Sequence, residues 1–384
     1  MDLDTVIARA RRVAREVLGP ESRSVDEERR WPESGIRALQ DMRLTGLTVP
    51  EGQGGLGHGL LALARVCEEL GRECASTSIC FGMHAVGAAV IAAKATSIQQ
   101  HELLSSIAEG KHITSLALSE PGTGTYFYYP QTKLSLHGEA SLVLSGAKCF
   151  VTNGGHANSY VVSTVSADPD APPGHFSCVV LPMDTKGMEW GPAWSGVGMR
   201  GNSSRSLQLD DVQIPRENLL GNEGDQIWYV FNVITPYFLV AMAGTYLGVA
   251  SAALDDARRN LQERRHEHSG ALLAENPIVQ HRLGQTWAIV ARTRALLYSA
   301  ASKGDAGDPD ALVALFSAKA EVADCAVDVV GQAITLSGGR GYRGGSRFDR
   351  MLRDVQASHI MAPTTDTLRS WTGRALLGRP ILGE

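Results

Sequence analysis

The sequence predicts an α+β protein in three parts: a helical N-terminal region (residues 1–113), a small β domain of barrel or sandwich type (114–222), and a C-terminal four-helix bundle (223–384). Three observations carry this. Apolar residues recur at helical spacing up to Ile113, the period shortens to alternation from Thr114, and long apolar helical stretches return after Gly221. The length, 384 residues, exceeds what one ordinary core organises, so several domains are expected.

In the first part, residues 6–18 (VIARARRVAREVL) form an amphipathic helix and 35–47 a second. In 60–74 Leu60, Leu63, Ala64, Cys67 and Leu70 share one face, 80–95 is apolar enough to be buried, and Gly110 closes a short helix. His84 lies in the buried stretch and reads as a packed, hydrogen-bonded histidine rather than a catalytic one. In the second part, 161–165, 177–183 and 206–215 alternate as strands, and the loop 168–174 (DPDAPPG) is a hairpin connection. In the third, 227–265 is a very long helix interrupted only by Pro236, followed by 276–303, 309–339 and 365–378. Long helices on short loops form a bundle.

Composition narrows the function. Charged residues make up 20% and hydrophobic residues 43%, as in a globular enzyme. The net charge of −5 supplies no basic field to attract nucleic acid. No uninterrupted apolar run of about eighteen residues appears, which argues against a membrane span. The N-terminus lacks the apolar core of a secretory signal, and the six cysteines form no CxxC pair, so a reduced, cytoplasmic protein without a metal site is expected.

The stretch 114–155 carries the chemistry. An apolar strand runs into Ser119-Glu120-Pro121-Gly122-Thr123-Gly124-Thr125, where glycines free the backbone and successive N–H groups form an anion-binding concavity. Leu142, Leu144 and Phe150 alternate as a second strand that ends in the Thr-Asn-Gly-Gly turn. Two such strand ends suit a planar, phosphate-bearing cofactor. They also suit two ordinary turns.

The ordered motifs decide between these. LTVPEGQGGLG (47–57), SLALSEPGTGT (115–125), FVTNGG (150–155), GVGMRGNSSRSLQLDDVQIPRENLLG (196–221), ITLSGGRGY (334–342) and FDRMLRD (348–354) resemble, in order and spacing, the motifs of the acyl-CoA dehydrogenase family of flavoproteins. The resemblance spans essentially the whole chain. It implies FAD, with Leu116, Leu118 and Ser119 at the isoalloxazine, Gly124 and Thr125 near the pyrophosphate, and Phe150, Val151 and Thr152 along the other side of the ring. It further implies that a neighbouring subunit contributes Thr335, Ser337, Gly338 and Gly339, that Thr364 and Asp366 close the site, and that Arg264 or Arg265 meets the pyrophosphate, with Arg265 the assigned residue. A homodimer or homotetramer follows, as does an acyl-CoA or acyl-carrier-protein substrate; the electron acceptor is not indicated.

The resemblance breaks at the base. The family takes the thioester α-proton with a glutamate of a YEGT motif, or with a carboxylate on the long helix one position before an arginine. Here HIMAPTTD (359–366) puts Ala362 at the first position, and the helix puts Phe238 at the second. Neither side chain moves a proton. After the glycine loop the chain reads Tyr126-Phe127-Tyr128-Tyr129, aromatics that either line a substrate pocket, together with Phe238 and Ala362, or pack against a neighbouring helix. The catalytic residues are therefore unassigned. Three functions remain: a thioester dehydrogenase with non-standard base chemistry, a flavin monooxygenase on the same fold, and a base-less partner subunit of a hetero-oligomer.

Overall fold

The computed structural model describes residues 1–172 and 174–382; within the hairpin loop 168–174, Pro173 lies outside them. Five longer helices open the chain, α1 (Leu3–Val13), α2 (Gly19–Glu27), α3 (Glu33–Asp41), α4 (Leu60–Gly71) and α5 (Ala75–Ala93), and a short helical segment over residues 97–108 follows, ending before Gly110 as expected. Asp2 caps α1, its carboxylate accepting from Thr5 N at 2.9 Å. Between α1 and α2 the chain stays helical through a π turn at Ala14–Leu18, directly before Pro20. The wider turn absorbs a proline that cannot donate and that would crowd the preceding carbonyl.

Eight strands follow: β1 (Thr114–Ala117), β2 (Lys133–His137), β3 (Ser141–Val151), β4 (Ser159–Ser166), β5 (Phe176–Pro182), β6 (Met188–Trp190), β7 (Arg205–Pro215) and β8 (Leu219–Leu220). They form one hydrogen-bonded path, β6-β7-β3-β2-β4-β5-β8, with β1 added to β4 in parallel. Antiparallel pairs predominate, and β2 meets β4 in parallel.

The C-terminal part is built on α6 (Thr235–Glu263), α7 (Pro277–Asp305) and α8 (Ala311–Ser337), with α9 (Arg347–Val355) and α10 (Thr365–Leu376) closing it. Pro236 does not interrupt the long helix as expected. A π turn at Val230–Ile234 again precedes the proline, so helical backbone runs from Gln226 into α6. Gly244 and Gly248 let α6 cross α4 at backbone distance: a Cβ at either would stand 2.3 Å from Ala64 O or 2.2 Å from Glu68 O. Ala75–Ala93 and Gln226–Glu263 are long and apolar enough to cross a membrane, against the sequence expectation; their most apolar windows are 94% and 89% buried inside the protein, as in core helices.

Helix α9 joins the three parts. Arg353 reaches the Asp26 carboxylate of α2 with both Nη atoms, at 2.9 and 2.5 Å. Arg350 donates to Glu73 O at 2.9 Å and Arg347 to the Glu73 carboxylate at 2.8 Å. The buried Asp354 carboxylate accepts from Met199 N at 2.6 Å, tying in the loop before β7. Burial pushes Asp354 up from 3.8 to about 6. Between these values the folded chain holds a proton that the unfolded chain releases, so this group's contribution to stability falls as pH rises through the window. Asp354→Asn, which keeps an acceptor for Met199, is expected to flatten that dependence; melting midpoints measured across the window check it.

His84 is structural, as expected. It is 1% exposed, its Nδ1 accepts from Thr114 N at 3.1 Å, and its Nε2 then donates to Thr45 O at 2.9 Å. Burial lowers it to about 4, which keeps it neutral.

Candidate active site

Strand β1 is buried along its length and releases the chain into the turn Leu118–Thr125. Gly122 and Gly124 adopt φ of +87° and +53°, and a Cβ at either would meet nothing within 4 Å. Backbone conformation demands glycine here, and the outer face of the turn stays open to a ligand. Glu120 turns inward. Its carboxylate accepts from Gln131 N at 2.5 Å, Thr132 N at 3.1 Å and Thr132 Oγ1 at 2.8 Å, and from Lys148 Nζ at 2.5 Å. The Lys148 ammonium also donates to Ser163 O at 2.6 Å. Both side chains are essentially unexposed, at 0% and 1%, so a dry ion pair fixes the turn to β3 and β4.

Strand β3 leaves its register with β7 between Lys148 and Val151. The bulge reverses the alternation read from sequence: Val151 turns in, at 1% exposed, and Phe150 turns out, at 65%, with φ of +54°. An exposed aromatic in the left-handed region is strained, and such strain marks functional positions. Trp194 meets its edge at 6.1 Å. Cys149 N donates to Ser119 O at 2.8 Å and Ser115 Oγ to Thr152 O at 2.8 Å, so the two strand ends are locked side by side. Asn153, at φ +61°, accepts from Trp31 Nε1 and donates to Cys80 O, each at 2.9 Å, which anchors the turn to the helical region.

The resulting shelf has Leu116, Leu118, Val151 and Thr152 in its buried layer, half-buried Ser119 and Thr125 hydroxyls along the turn, Gly124 open beside them, and Phe150 projecting. It fits a flat ring with a phosphate tail: an apolar floor, a projecting aromatic and an unblocked glycine turn. Replacing Phe150 with alanine is expected to weaken flavin retention about 10-fold by loss of stacking contact, with little change in melting temperature of flavin-free protein; equilibrium dialysis of the flavin checks it.

The loop 361–364 packs against the bundle. Ala362 and Phe238 are half-buried, and Leu239 beside the latter is 1% exposed. Tyr246, buried in α6, donates to Met361 Sδ at 3.1 Å. Lys319 of α8 donates from Nζ to Pro363 O at 3.0 Å and to Met361 O at 3.4 Å. Thr364 caps α10 by accepting from Thr367 N at 3.3 Å, and Asp366 is exposed in the first turn of that helix.

The aromatic run divides. Phe127 and Tyr128 are buried, at 6% and 4%, whereas Tyr126 and Tyr129 are exposed, at 59% and 45%. The Tyr128 ring lies tilted at 6.0 Å from both Phe231 and Trp371, and Phe316 of α8 lies 5.3 Å from Trp371. Phe127 and Tyr128 pack as one of the two expectations had it, and Tyr126 and Tyr129 face outward.

The remaining cofactor candidates stand elsewhere. Thr335 and Gly339 are exposed and Gly338 is half-buried, at the C-terminal end of α8. By helical rise this is about 27 Å along α8 from Lys319 and the Thr364 loop. Ser337 is 0% exposed and its Oγ has no partner. Arg265 donates to Gly270 O at 2.8 Å inside its own loop, whereas Arg264 Nη1 stands 3.3 Å from where a Cβ on Gly338 would be. The geometry groups Arg264, not the assigned Arg265, with the glycines. His266 and His268 are exposed, and no metal-competent cluster occurs among the described residues.

A cyclohex-1-ene-1-carbonyl-CoA dehydrogenase of Geobacter metallireducens is 31% identical over 96% of this chain and 96% of its own length. This chain belongs to the acyl-CoA dehydrogenase family. Acyl-CoA dehydrogenase family models match in series: the N-terminal domain over residues 2–111, the middle domain over 115–212 and the C-terminal domain over 237–377. The probable acyl-CoA dehydrogenase FadE25 of Mycobacterium tuberculosis is 28% identical, over 97% of this chain and 95% of its own. The structure of butyryl-CoA dehydrogenase from Megasphaera elsdenii superposes with a TM-score of 0.92 at 27% identity, covering 98% of this chain and all of that one. Like its family, this dehydrogenase is an FAD-dependent oxidoreductase acting on CH–CH groups. FAD is its cofactor, and the shelf formed by β1, β3 and their turns fits it.

Three features of the site escaped the sequence reading. Lys148 had a readable signal, because it shares strand parity with the inward Leu142 and Leu144. Lys319 stands in an otherwise apolar helical run. The pairing of Arg264 with Gly338 left no trace in spacing.

Proposed function

We propose that this dehydrogenase desaturates an acyl thioester, carried on CoA or on a carrier protein, with a base that stands at neither family position. Ala362 and Phe238 carry the reading, because a methyl and a phenyl group occupy the places from which a carboxylate would take the α-proton. The flavin supplies the hydride acceptor for the β-hydrogen. This chain's residues orient the ring against Phe150, hold its turn through Glu120 and Lys148, and exclude water with the Tyr128, Phe231 and Trp371 cluster. The names of the relatives, which include CoA-thioester dehydrogenases, support the substrate class.

The adenosine end is completed by a second copy, since Thr335, Gly338 and Arg264 stand at the far end of α8 from the Thr364 loop. A homodimer or a pair of homodimers is therefore the working assembly. Arg264→Ala is expected to lower bound flavin several-fold and Arg265→Ala to leave it unchanged; absorbance of the purified proteins decides.

The central test is anaerobic. Purified yellow protein is mixed with straight-chain, branched and cyclic acyl thioesters, and flavin bleaching is followed. Bleaching by any of them supports the reading; a panel without bleaching sinks it. Oxygen uptake by the reduced protein with a peroxyflavin absorbance assigns the monooxygenase instead. Colourless protein that gains flavin only with a co-expressed homologue assigns the partner subunit.

A further inference from the structure

Phe150 is held where an aromatic residue does not settle by itself. Its side chain is 65% exposed, its φ is +54°, and its aromatic neighbour among the described residues is Trp194, edge-on at 6.1 Å. Strain of that kind persists only where the surrounding structure over-determines the backbone. The constraint lies on either side of Phe150, in the turn that follows it and in the loop that carries Trp194. Both are gripped by one short stretch of the helical region, the loop 28–32 between α2 and α3.

Consecutive residues of that loop make the grip. Trp31 Nε1 donates to Asn153 Oδ1 at 2.9 Å, and the indole stacks on His156 with ring centroids 4.7 Å apart and planes 1° from parallel. Asn153 is 0% exposed and itself left-handed, and the Tyr160 hydroxyl donates to its carbonyl at 2.9 Å. The turn after Phe150 is thus pinned through both backbone and side chain. The Arg30 carbonyl lies against Gly201, where a Cβ would stand 3.0 Å from it, and the carbonyl of the next residue, Asn202, accepts from Asn153 N at 3.1 Å. Arg29 Nη1 donates to Ser195 Oγ at 2.7 Å, directly beside Trp194. Trp194 folds back over Gly196, whose Cβ would fall 2.2 Å from its ring, so its place depends on the path of this loop. Arg29 is exposed and left-handed, at φ +54°, where glycine would sit without strain. Packing does not explain an arginine there; its side-chain hydrogen bond among the described residues is the one to the Trp194 loop.

We propose that Arg29 and Trp31 are positioning residues for the flavin, acting through Ser195 and Asn153 to hold Trp194 and Phe150 as one fixed wall for the isoalloxazine. The inference rests on the reading above that sets Phe150 along the ring. A wall held in advance binds more tightly, because it has little freedom left to lose when the ligand arrives. The helical region therefore does more than cover the β domain: its 28–32 loop shapes the cofactor shelf from outside.

Equilibrium dialysis of the flavin tests this on Trp31→Phe, which keeps a ring against His156 but loses the N–H, on Phe150→Ala, and on the two combined. Trp31→Phe is expected to weaken binding about 10-fold, the effect of leaving one buried acceptor unpaired. A residue that acts through Phe150 loses its effect once that ring is gone, so the double variant is expected to bind within about 2-fold of Phe150→Ala alone. Penalties that multiply instead, to about 100-fold in the double variant, overturn the proposal and make Trp31 a purely structural residue. Trp31→Phe that binds as the parent does also overturns it, while weakened binding in Phe150→Ala leaves the ring contact standing. If Phe150→Ala itself binds as the parent does, the reading beneath the proposal has failed and the proposal with it. Arg29→Gly, at an exposed position and without backbone strain, is run through the same cycle and decides the matter if Trp31→Phe does not fold. Its flavin-free form is expected to melt near the parent while its flavin binding falls several-fold. Visible circular dichroism of the bound flavin, which reports the asymmetry around the ring, is expected to change in both single variants; spectra identical to the parent's overturn the proposal.

Discussion

Lys148→Met is expected to destabilise the protein by about 3–5 kcal/mol, the cost of leaving one partner of a buried ion pair unpaired. Glu120 then keeps the Gln131 and Thr132 donors but loses the opposite charge in a site that water does not reach. Because Glu120 lies inside the glycine turn, the damage reaches the cofactor shelf, and bound flavin is expected to fall with stability. Glu120→Gln, which still accepts from Thr132, leaves the Lys148 ammonium uncompensated and is expected to cost a similar amount. Replacing both by apolar residues of like volume, Lys148→Met with Glu120→Leu, is expected to recover much of the stability but not the flavin, since the turn would lose the hydrogen bonds that shape it. Denaturant unfolding of the single and double variants, with absorbance to count flavin, separates the two effects. A Lys148→Met protein as stable as the parent would mean that the pair does not close in solution.

Periodicity and motif order made most of the fold legible. The change from helical spacing to alternation at Thr114 coincides with the start of β1, and the long helices appear where the apolar stretches were read. What was hidden depended on single residues. Alternation placed Phe150 with Leu142 and Leu144 on the inner face, but a bulge adds one residue after Lys148 and turns Phe150 outward, and no sequence period records such an insertion. Pro236 read as a break because proline usually ends a helix, whereas a π turn supplied the room it needs. The choice between Arg264 and Arg265 was open in the sequence for a different reason. Adjacent arginines at a helix end point in different directions, and only the path of the loop, with Arg265 held by Gly270 O, shows which one is left beside Gly338. That neither Ala362 nor Phe238 carries a carboxylate, by contrast, is legible from sequence alone. The Lys319 amine against the Ala362 loop was not, because bringing residue 319 to the carbonyls of 361 and 363 takes the packing of α8 against the C-terminal loop.

Ala362→Glu is expected to raise the rate of flavin reduction by an acyl thioester by about 100-fold or more, the usual contribution of a positioned general base. Ala362 is half-buried, and the loop around it is fixed, Met361 by Tyr246 and Pro363 by Lys319. A glutamate there would stand near the Lys319 amine. Each would favour the charged form of the other, so the new carboxylate would be ionised, as proton abstraction requires. Ala362 packs against the core at its edge, so the variant is expected to lose about 1–3 kcal/mol of stability, read from its melting midpoint. The same substitution measures two things. A large rise in rate with straight-chain thioesters means that the parent pocket already orients an acyl chain for α-proton removal, and that the parent rate is limited by its base. A variant that keeps its flavin yet gains nothing with any thioester means that the space beside Ala362 is not where an α-carbon sits, and the substrate must then be sought at the exposed Tyr126 and Tyr129. Stopped-flow bleaching under argon, run on parent and variant with the same thioester panel, gives the answer directly.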